Sequence, residues 1–394
     1  MVNQDWKQQT RLVHEGQERS PHGETAEAMY LTSGYVYDTA EQAEARFREE
    51  DQGFIYSRFG NPTVRAFEQR MIALEGTKDA RATATGMAAV TATMMSQLQV
   101  GDHIVAARAL FGSCRYVVET LMPKFGVACT LVDGRDLNAW KAAIRPETKV
   151  LFLETPSNPV LEIVDMQAVA DLAHENGARL VVDNVFATPI LQRPTDFGAD
   201  IVVYSATKHI DGQGRCLGGV ILGDEGFIQD ELANFLRQTG PSLSPFNAWV
   251  MLKSLETLAL RVNAHCDNTE KLVDFLVDHS QVERVYYPGH ANHPQHNLAM
   301  AQMTRGGNLI AFDIKGGKEK AFEFTNALNI ALISNNLGDA KTLITHPATT
   351  THFKLDDATK AELDITGGTL RVSIGLEDGD DLVHDFDQAL AKLA

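Results

Sequence analysis

ARLVVDNVFATPILQRPTDFGADIVVYSATKHI, residues 178–210, holds two strand signatures in quick succession. Leu180-Val181-Val182-Asp183-Asn184 and Ile201-Val202-Val203-Tyr204-Ser205 are short, β-branched runs with almost no polar interruption. Such runs belong to strands covered on both faces. Each ends in residues that chemistry can use: Asp183 in the first, and Ser205-Ala206-Thr207-Lys208-His209 in the second. Working outward, the pattern recurs at His103–Ala107, Ala128–Val132, Val150–Glu154 and Gly219–Leu222. Helical patterns lie between, near Gly86–Gln99, Ser113–Phe125, Leu137–Ile144 and Met166–Asn176. Asp165 suits the N-cap of the last, and Gly177 its C′ position. The alternation predicts an α/β fold, a mostly parallel sheet with helices on both faces, and ligands bound beyond the carboxyl ends of its strands.

Past this region the pattern changes. Trp249, Leu252, Leu255, Leu258 and Ala259 recur at helical spacing, predicting one long helix from Asn247 to about Arg261 that leads out of the sheet domain. Longer helices with a few strands follow, among them Asn308–Ile314 and Thr369–Ile374, a smaller α+β domain. The first stretch fits neither domain. It carries Tyr30, Tyr35, Tyr37, Phe54, Tyr56 and Phe59 and ends in the turn Gly60-Asn61-Pro62. The expected division is an arm over 1–62 that packs on something else, a large domain over 63–255 and a small domain over 256–394.

With 35 Lys and Arg against 52 Asp and Glu among 394 residues, the formal charge is −17. That argues against nucleic acid or an anionic membrane as partner. No apolar run approaches the roughly 18 residues of a membrane span. The N-terminal stretch has no apolar h-region and carries Asp5, Glu15 and Glu18, so neither a secretory signal nor a transit peptide is expected. Cys114, Cys129, Cys216 and Cys266 form no CxxC pair. They read as small buried filler in a reduced, cytoplasmic setting, without disulfides or a metal site. His290, His293 and His296 lie in a loop around Pro288 and Pro294, with no supporting ligand spacing. Gly212-Gln213-Gly214-Arg215-Cys216-Leu217-Gly218 is one residue out of step with a dinucleotide fingerprint and does not directly follow a strand.

The chemistry concentrates at strand ends. A lysine at the end of a buried strand is costly to desolvate, and such lysines serve as Schiff-base and general-base groups. Lys208 holds that place, with the hydroxyls of Ser205 and Thr207 suited to phosphate oxygens. A lysine that has merely emerged into solvent fits as well. Asp183, one strand earlier, can share the crevice, and a pyridinium nitrogen needs such a carboxylate. A turn-capping aspartate is the alternative. Thr85-Gly86-Met87-Ala88-Ala89 opens a helix, whose free N–H groups bind phosphate. Tyr56 and Arg58 are good phosphate ligands. Arg371, in the strand-like Leu370-Arg371-Val372-Ser373, could fork onto a substrate carboxylate or form a structural salt bridge.

Taken together, these elements resemble the Cys/Met-metabolism enzymes that use pyridoxal 5′-phosphate. The matching stretches are Tyr56–Thr63, Thr85–Ala89, Glu154–Pro159, Val182–Asn184, Ser205–His209, His346–His352 and Leu370–Gly375, in order. The resemblance runs from about Thr10 to the C-terminus. It implies the aspartate-aminotransferase-type fold (fold type I), with a mostly parallel seven-stranded sheet domain and a smaller C-terminal α+β domain. It further implies that Lys208 bonds covalently to the cofactor and later moves protons, and that Asp183 pairs with the pyridine nitrogen. Gly86, Met87, Ser205 and Thr207 would hold the phosphate, with Tyr56 and Arg58 reaching the phosphate of a neighbouring subunit. Asn158 would sit close to the ring, and Arg371 and Asn336 would meet the substrate. The active unit would be at least a dimer, with a tetramer built from two dimers expected.

Position 111 departs from the family pattern. Most relatives have Tyr there, stacking on the cofactor and shuttling protons, whereas this chain has Phe111. A thiolate leaving group has a conjugate-acid pKa of about 8–10 and benefits from a general acid, while a carboxylate, at about 4, does not. Phe111 therefore favours an O-acylhomoserine over cystathionine or methionine. Thr239–Trp249 and Asn336-Leu337-Gly338-Asp339 also resemble the branch that joins O-succinylhomoserine to sulfide. Cysteine as nucleophile, an O-acetyl ester, and γ-elimination from cystathionine or methionine remain as alternatives.

Overall fold

The computed structural model describes residues 6–393. Seven strands form the large sheet: β1 (Asp79–Thr83), β2 (His103–Ala107), β3 (Ala128–Val132), β4 (Thr148–Glu154), β5 (Arg179–Asp183), β6 (Ile201–Ser205) and β7 (Gly219–Gly223). Their spatial order is β1-β7-β6-β5-β4-β2-β3, and only β7 runs against its neighbours. The strands from β2 to β7 are those expected from the sequence. β1 was not: Asp79 and Arg81 interrupt it, and they form an ion pair of 3.2 Å.

Period two sorts the side chains onto two cores. Val150, Phe152, Val181, Ile201, Val203 and Ile221 pack with Ala89, Val90 and Met94 of the helix Gly86–Gln97. Leu151, Leu153, Leu180, Val182, Val202 and Tyr204 face the other way, towards Trp140, Met166 and Leu252. Glu154, Asp183 and Ser205 continue the first set, so all three emerge on the face that the helix Gly86–Gln97 covers. The chain places β3 on one side of β2 and β4 on the other, which opens a crevice at the carboxyl ends of β2 and β4.

The smaller sheet comprises β8 (Val282–Tyr286), β9 (Leu309–Ile314), β10 (Leu332–Ile333), β11 (Leu343–Thr345) and β12 (Thr369–Ser373), in the order β10-β11-β12-β9-β8. Phe312, Phe324 and Phe386 sit in its core.

The long helix expected from Asn247 to Arg261 is instead two, Pro245–Leu255 and Leu258–Val277. Two guanidiniums take carbonyls at the break: Arg70 bonds Leu252 O at 3.2 Å, and Arg261 bonds Ser254 O at 3.0 Å. Arg70 is fully buried and also bonds Glu27 at 2.7 Å and Glu15 O at 2.9 Å, tying the N-terminal arm to this joint. Further along the arm, Leu31, Val36 and Phe47 are exposed. The helix expected at Ser113–Phe125 starts at Gly112 and widens at Val117–Leu121. Pro123, lacking an N–H, cannot donate to the carbonyl of residue 119.

Candidate active site

A cavity of about 240 Å³ lies at the carboxyl ends of β4, β5 and β6. Gly86, Met87, Phe111, Asn158, Asp183, Ser205, Thr207, Lys208 and Arg371 all line it. At one end, Thr85 caps the helix Gly86–Gln97 by accepting the Ala88 N–H at 3.0 Å, leaving the first N–H groups of the helix facing the cavity. A Cβ on Gly86 would lie 2.5 Å from that of Ser205, so the helix end presses directly on the strand end. Thr207 Oγ1 accepts the Gly218 N–H at 3.1 Å. Backbone N–H groups, two hydroxyls and a helix N-terminus make an anion cradle.

Asp183 is buried, accepts the Val185 N–H at 3.1 Å, and lies 3.9 Å from Cys114 Sγ. Burial raises its carboxyl above the usual range, to about 7. A cation set against it, such as a protonated ring nitrogen, would restore its charge. Lys208 Nζ donates to Asn336 Oδ1 at 2.5 Å. Burial first, and the nearby Arg371 second, bring the amine down to about 8. It therefore releases its proton far more readily than a free lysine, and a minor but usable neutral fraction exists near physiological pH, as a nucleophile or base requires.

Arg371, on β12, is 2% exposed. Its Nη1 donates to Asn158 Oδ1 at 2.9 Å and its Nη2 to Asn335 O at 2.9 Å, while its buried Nε has no protein partner. That is a guanidinium held rigidly with a donor to spare for a carboxylate. Thr155–Pro156 and Asn158–Pro159 are both cis, in the turn that carries Asn158. Phe111 places its ring in the wall while its N–H donates to Glu154 Oε2 at 2.7 Å.

Two expected residues stand elsewhere. Arg58 lines a separate cavity with Arg65, Arg81 and Arg237, and its guanidinium lies 4.8 Å from the Phe59 ring centroid. Tyr56 is exposed beside it. One chain alone does not bring either to Lys208. Glu154 and Cys114 were not picked out. Glu154 ends an apolar strand as Asp183 does, and that signal was available. Cys114, read as filler, is buried against the Asp183 carboxylate. The four cysteines are unpaired, and no cluster of metal-ligating side chains occurs among the described residues.

A half-buried lysine of lowered pKa, a carboxylate in the same cavity, a phosphate cradle and a spare guanidinium define a site built for pyridoxal phosphate, on the fold that such enzymes share. The profile of the Cys/Met metabolism PLP-dependent enzyme family matches residues 9–391. O-succinylhomoserine sulfhydrylase of Mycobacterium tuberculosis is 50% identical over 388 residues, covering 98% of this chain and 96% of that one. The protein of the same name from Pseudomonas aeruginosa is 48% identical over 384 residues, covering 98% and 95%. A solved structure from Campylobacter jejuni, titled an O-acetylhomoserine (thiol)-lyase and carrying a pyridoxyl-lysine monophosphate, superposes with a TM-score of 0.94 at 30% identity, covering 98% and 100%. The chain belongs to the Cys/Met metabolism PLP-dependent enzyme family, and its cofactor is pyridoxal 5′-phosphate.

Proposed function

We propose that the enzyme replaces the γ-acyloxy group of O-succinylhomoserine with sulfide, giving homocysteine and succinate, a step of methionine biosynthesis. The observation that carries this reading is Phe111. Its ring faces the cavity without a hydroxyl, and the one phenol among the lining residues, Tyr204, is engaged by Glu75 at 2.5 Å and Asn184 at 2.6 Å. A leaving group that needs no proton suits such a wall, and succinate is one. The names of the relatives from M. tuberculosis and P. aeruginosa favour the succinyl ester and sulfide.

Pyridoxal phosphate, when bound, supplies the electron sink for carbanion chemistry. In our reading Lys208 holds it covalently and then moves the Cα proton, and Asp183 keeps the ring nitrogen protonated. The N–H groups of Gly86 and Met87 and the hydroxyls of Ser205 and Thr207 bind phosphate. Arg371, steadied by Asn158, takes the substrate α-carboxylate, and Asn336 holds Nζ. Phe111 stacks without donating a proton. Tyr56 and Arg58 complete the phosphate site of a second copy, so the chain works as a homo-oligomer, a tetramer built from two dimers, in the cytoplasm. Its parts are an arm to residue 62, a large domain to 255 and a small one beyond, a division supported by the helix break after Leu255.

The test is a grid of O-succinyl-, O-acetyl- and O-phosphohomoserine against sulfide, cysteine and water. The succinyl ester with sulfide should give the highest kcat/KM. A higher value for another ester, or for cysteine, overturns the assignment.

A further inference from the structure

Lys208 is followed by a histidine whose side chain leaves the cavity. His209 is 2% exposed and its Nε2 lies 2.7 Å from Asn308 Oδ1. Asn308 precedes β9 in the smaller sheet and is itself 3% exposed. Its Nδ2 donates to Ile374 O at 3.1 Å and lies 3.2 Å from His265 Nδ1 and 3.4 Å from Ser373 Oγ. Ser373 Oγ accepts the Gly338 N–H at 2.8 Å. Gly338 stands two residues after Asn336, the acceptor of Lys208 Nζ. It packs so closely that a Cβ there would lie 2.7 Å from His209 N. The contacts form a closed circuit: Lys208, His209, Asn308, Ser373, Gly338, Asn336 and back to Lys208.

The circuit has a defined polarity. Ile374 O can only accept, which turns Nδ2 of Asn308 towards it and Oδ1 towards His209. His209 must then carry its proton on Nε2. Burial, only partly opposed by the Asn308 bond, brings this histidine down to about 4, and His265 falls to about 3. Both rings stay neutral across the working range, so the orientation is fixed. Arg261 clamps the other side by donating to His209 O at 2.7 Å. Arg371 lies two residues before Ser373 on the same strand, so one framework carries the carboxylate receptor and the lysine.

We propose that Asn308 is a positioning residue for Lys208. It acts through His209 on the lysine backbone, and through Ser373 and Gly338 on the loop that carries Asn336. Neither Asn308 nor His209 lines the cavity. Asn308 bridges the two sheets, so the lysine of the larger one is set from the smaller one. The inference rests on the proton-transfer role given to Lys208 above.

The test uses holoenzyme and norleucine, which has no γ leaving group. Exchange of its Cα proton in D2O, followed by NMR, isolates proton transfer, and the change in cofactor absorbance on titration gives its affinity. Asn308→Ala and His209→Leu should slow exchange by roughly 10–100-fold. Affinity, cofactor content and thermal midpoint should stay close to native. His209→Gln, which keeps a donor near the Nε2 position, should recover most of the rate. Should Asn308→Ala fail to fold, the two His209 variants decide. Exchange within threefold of native in folded, cofactor-replete Asn308→Ala or His209→Leu overturns the proposal, as does equal slowing in His209→Gln and His209→Leu. Lys208→Ala separates the underlying assumption. If it still exchanges the proton, the lysine assignment fails. If it does not, and the other variants are native-like, only the positioning role fails.

Discussion

Glu154 and Asp183 end neighbouring parallel strands in register, placing two buried carboxylates side by side at the floor of the cavity. Burial, and the charge of Asp183 beside it, push Glu154 well above the usual carboxylate range. Like charges this close do not both ionise, so one proton resides on the pair. Asp183 is the member that faces the ring nitrogen in our reading, which leaves the proton on Glu154.

Glu154→Gln should therefore be mild. The amide keeps an oxygen for the Phe111 N–H, so kcat should remain within about threefold of native, whereas Asp183→Asn should lose roughly 10²–10⁴-fold. Steady-state rates of the two variants, measured side by side, check this. Equal losses would mean that Glu154 carries an essential charge.

Phe111→Tyr restores the missing phenol. Thiol elimination from cystathionine should rise by an order of magnitude or more, roughly the benefit of one general acid. Replacement of the acyl group should change little. Pyruvate or 2-oxobutyrate release from cystathionine reads the first, and homocysteine formation from the ester reads the second. Native enzyme that already cleaves cystathionine as fast as the ester would remove the leaving-group argument.

Arg58→Ala and Lys208→Ala lie in different cavities of one chain but in the same site if two copies share it. Each variant alone should be inactive. Mixed oligomers assembled from both should regain part of the native rate, because one hybrid site contains both residues. Proven hetero-oligomers without recovered activity would argue against a shared site.

Glu75 gives a pH dependence of stability. It is fully buried, and burial raises its carboxyl to about 8 against the Tyr204 bond that lowers it. The folded chain thus holds a proton that the unfolded chain releases near its ordinary value. Stability from this group is full below that value and is lost as pH rises towards 8. Urea unfolding should show native protein losing about 1–3 kcal/mol relative to Glu75→Gln between pH 5.5 and 7.5. Parallel pH profiles for the two proteins would exclude the assignment.

Six of the seven large-sheet strands were legible because each is a short run dominated by apolar and β-branched residues. β1 was not, since Asp79 and Arg81 disguise it and its pairing with β7 is what makes it a strand. Lys208, Asp183 and Ser205 were readable for one reason: polar residues that end buried strands must emerge at the same edge. Arg371 needed the smaller sheet to bring it across. The bond from His209 to Asn308 joins positions far apart in sequence, and no local pattern announces it. The helix break at Glu256 was hidden because apolar spacing continues through it, while Arg70, one of the two arginines that stabilise the break, comes from far away in the sequence.

The contact between Gly86 and Ser205 has a consequence for mutational tolerance. Gly219, on the reversed strand β7, meets the same loop, and a Cβ there would fall on the Thr85 carbonyl. Both positions touch backbone or strand atoms that cannot move aside without shifting the phosphate cradle. In a library covering every substitution, residues 86 and 219 should fall silent even for alanine, although neither contributes a side chain and alanine keeps the backbone N–H. Silence at these two positions would report volume, not chemistry, and the cradle's shape would be read there as atoms that the chain leaves out.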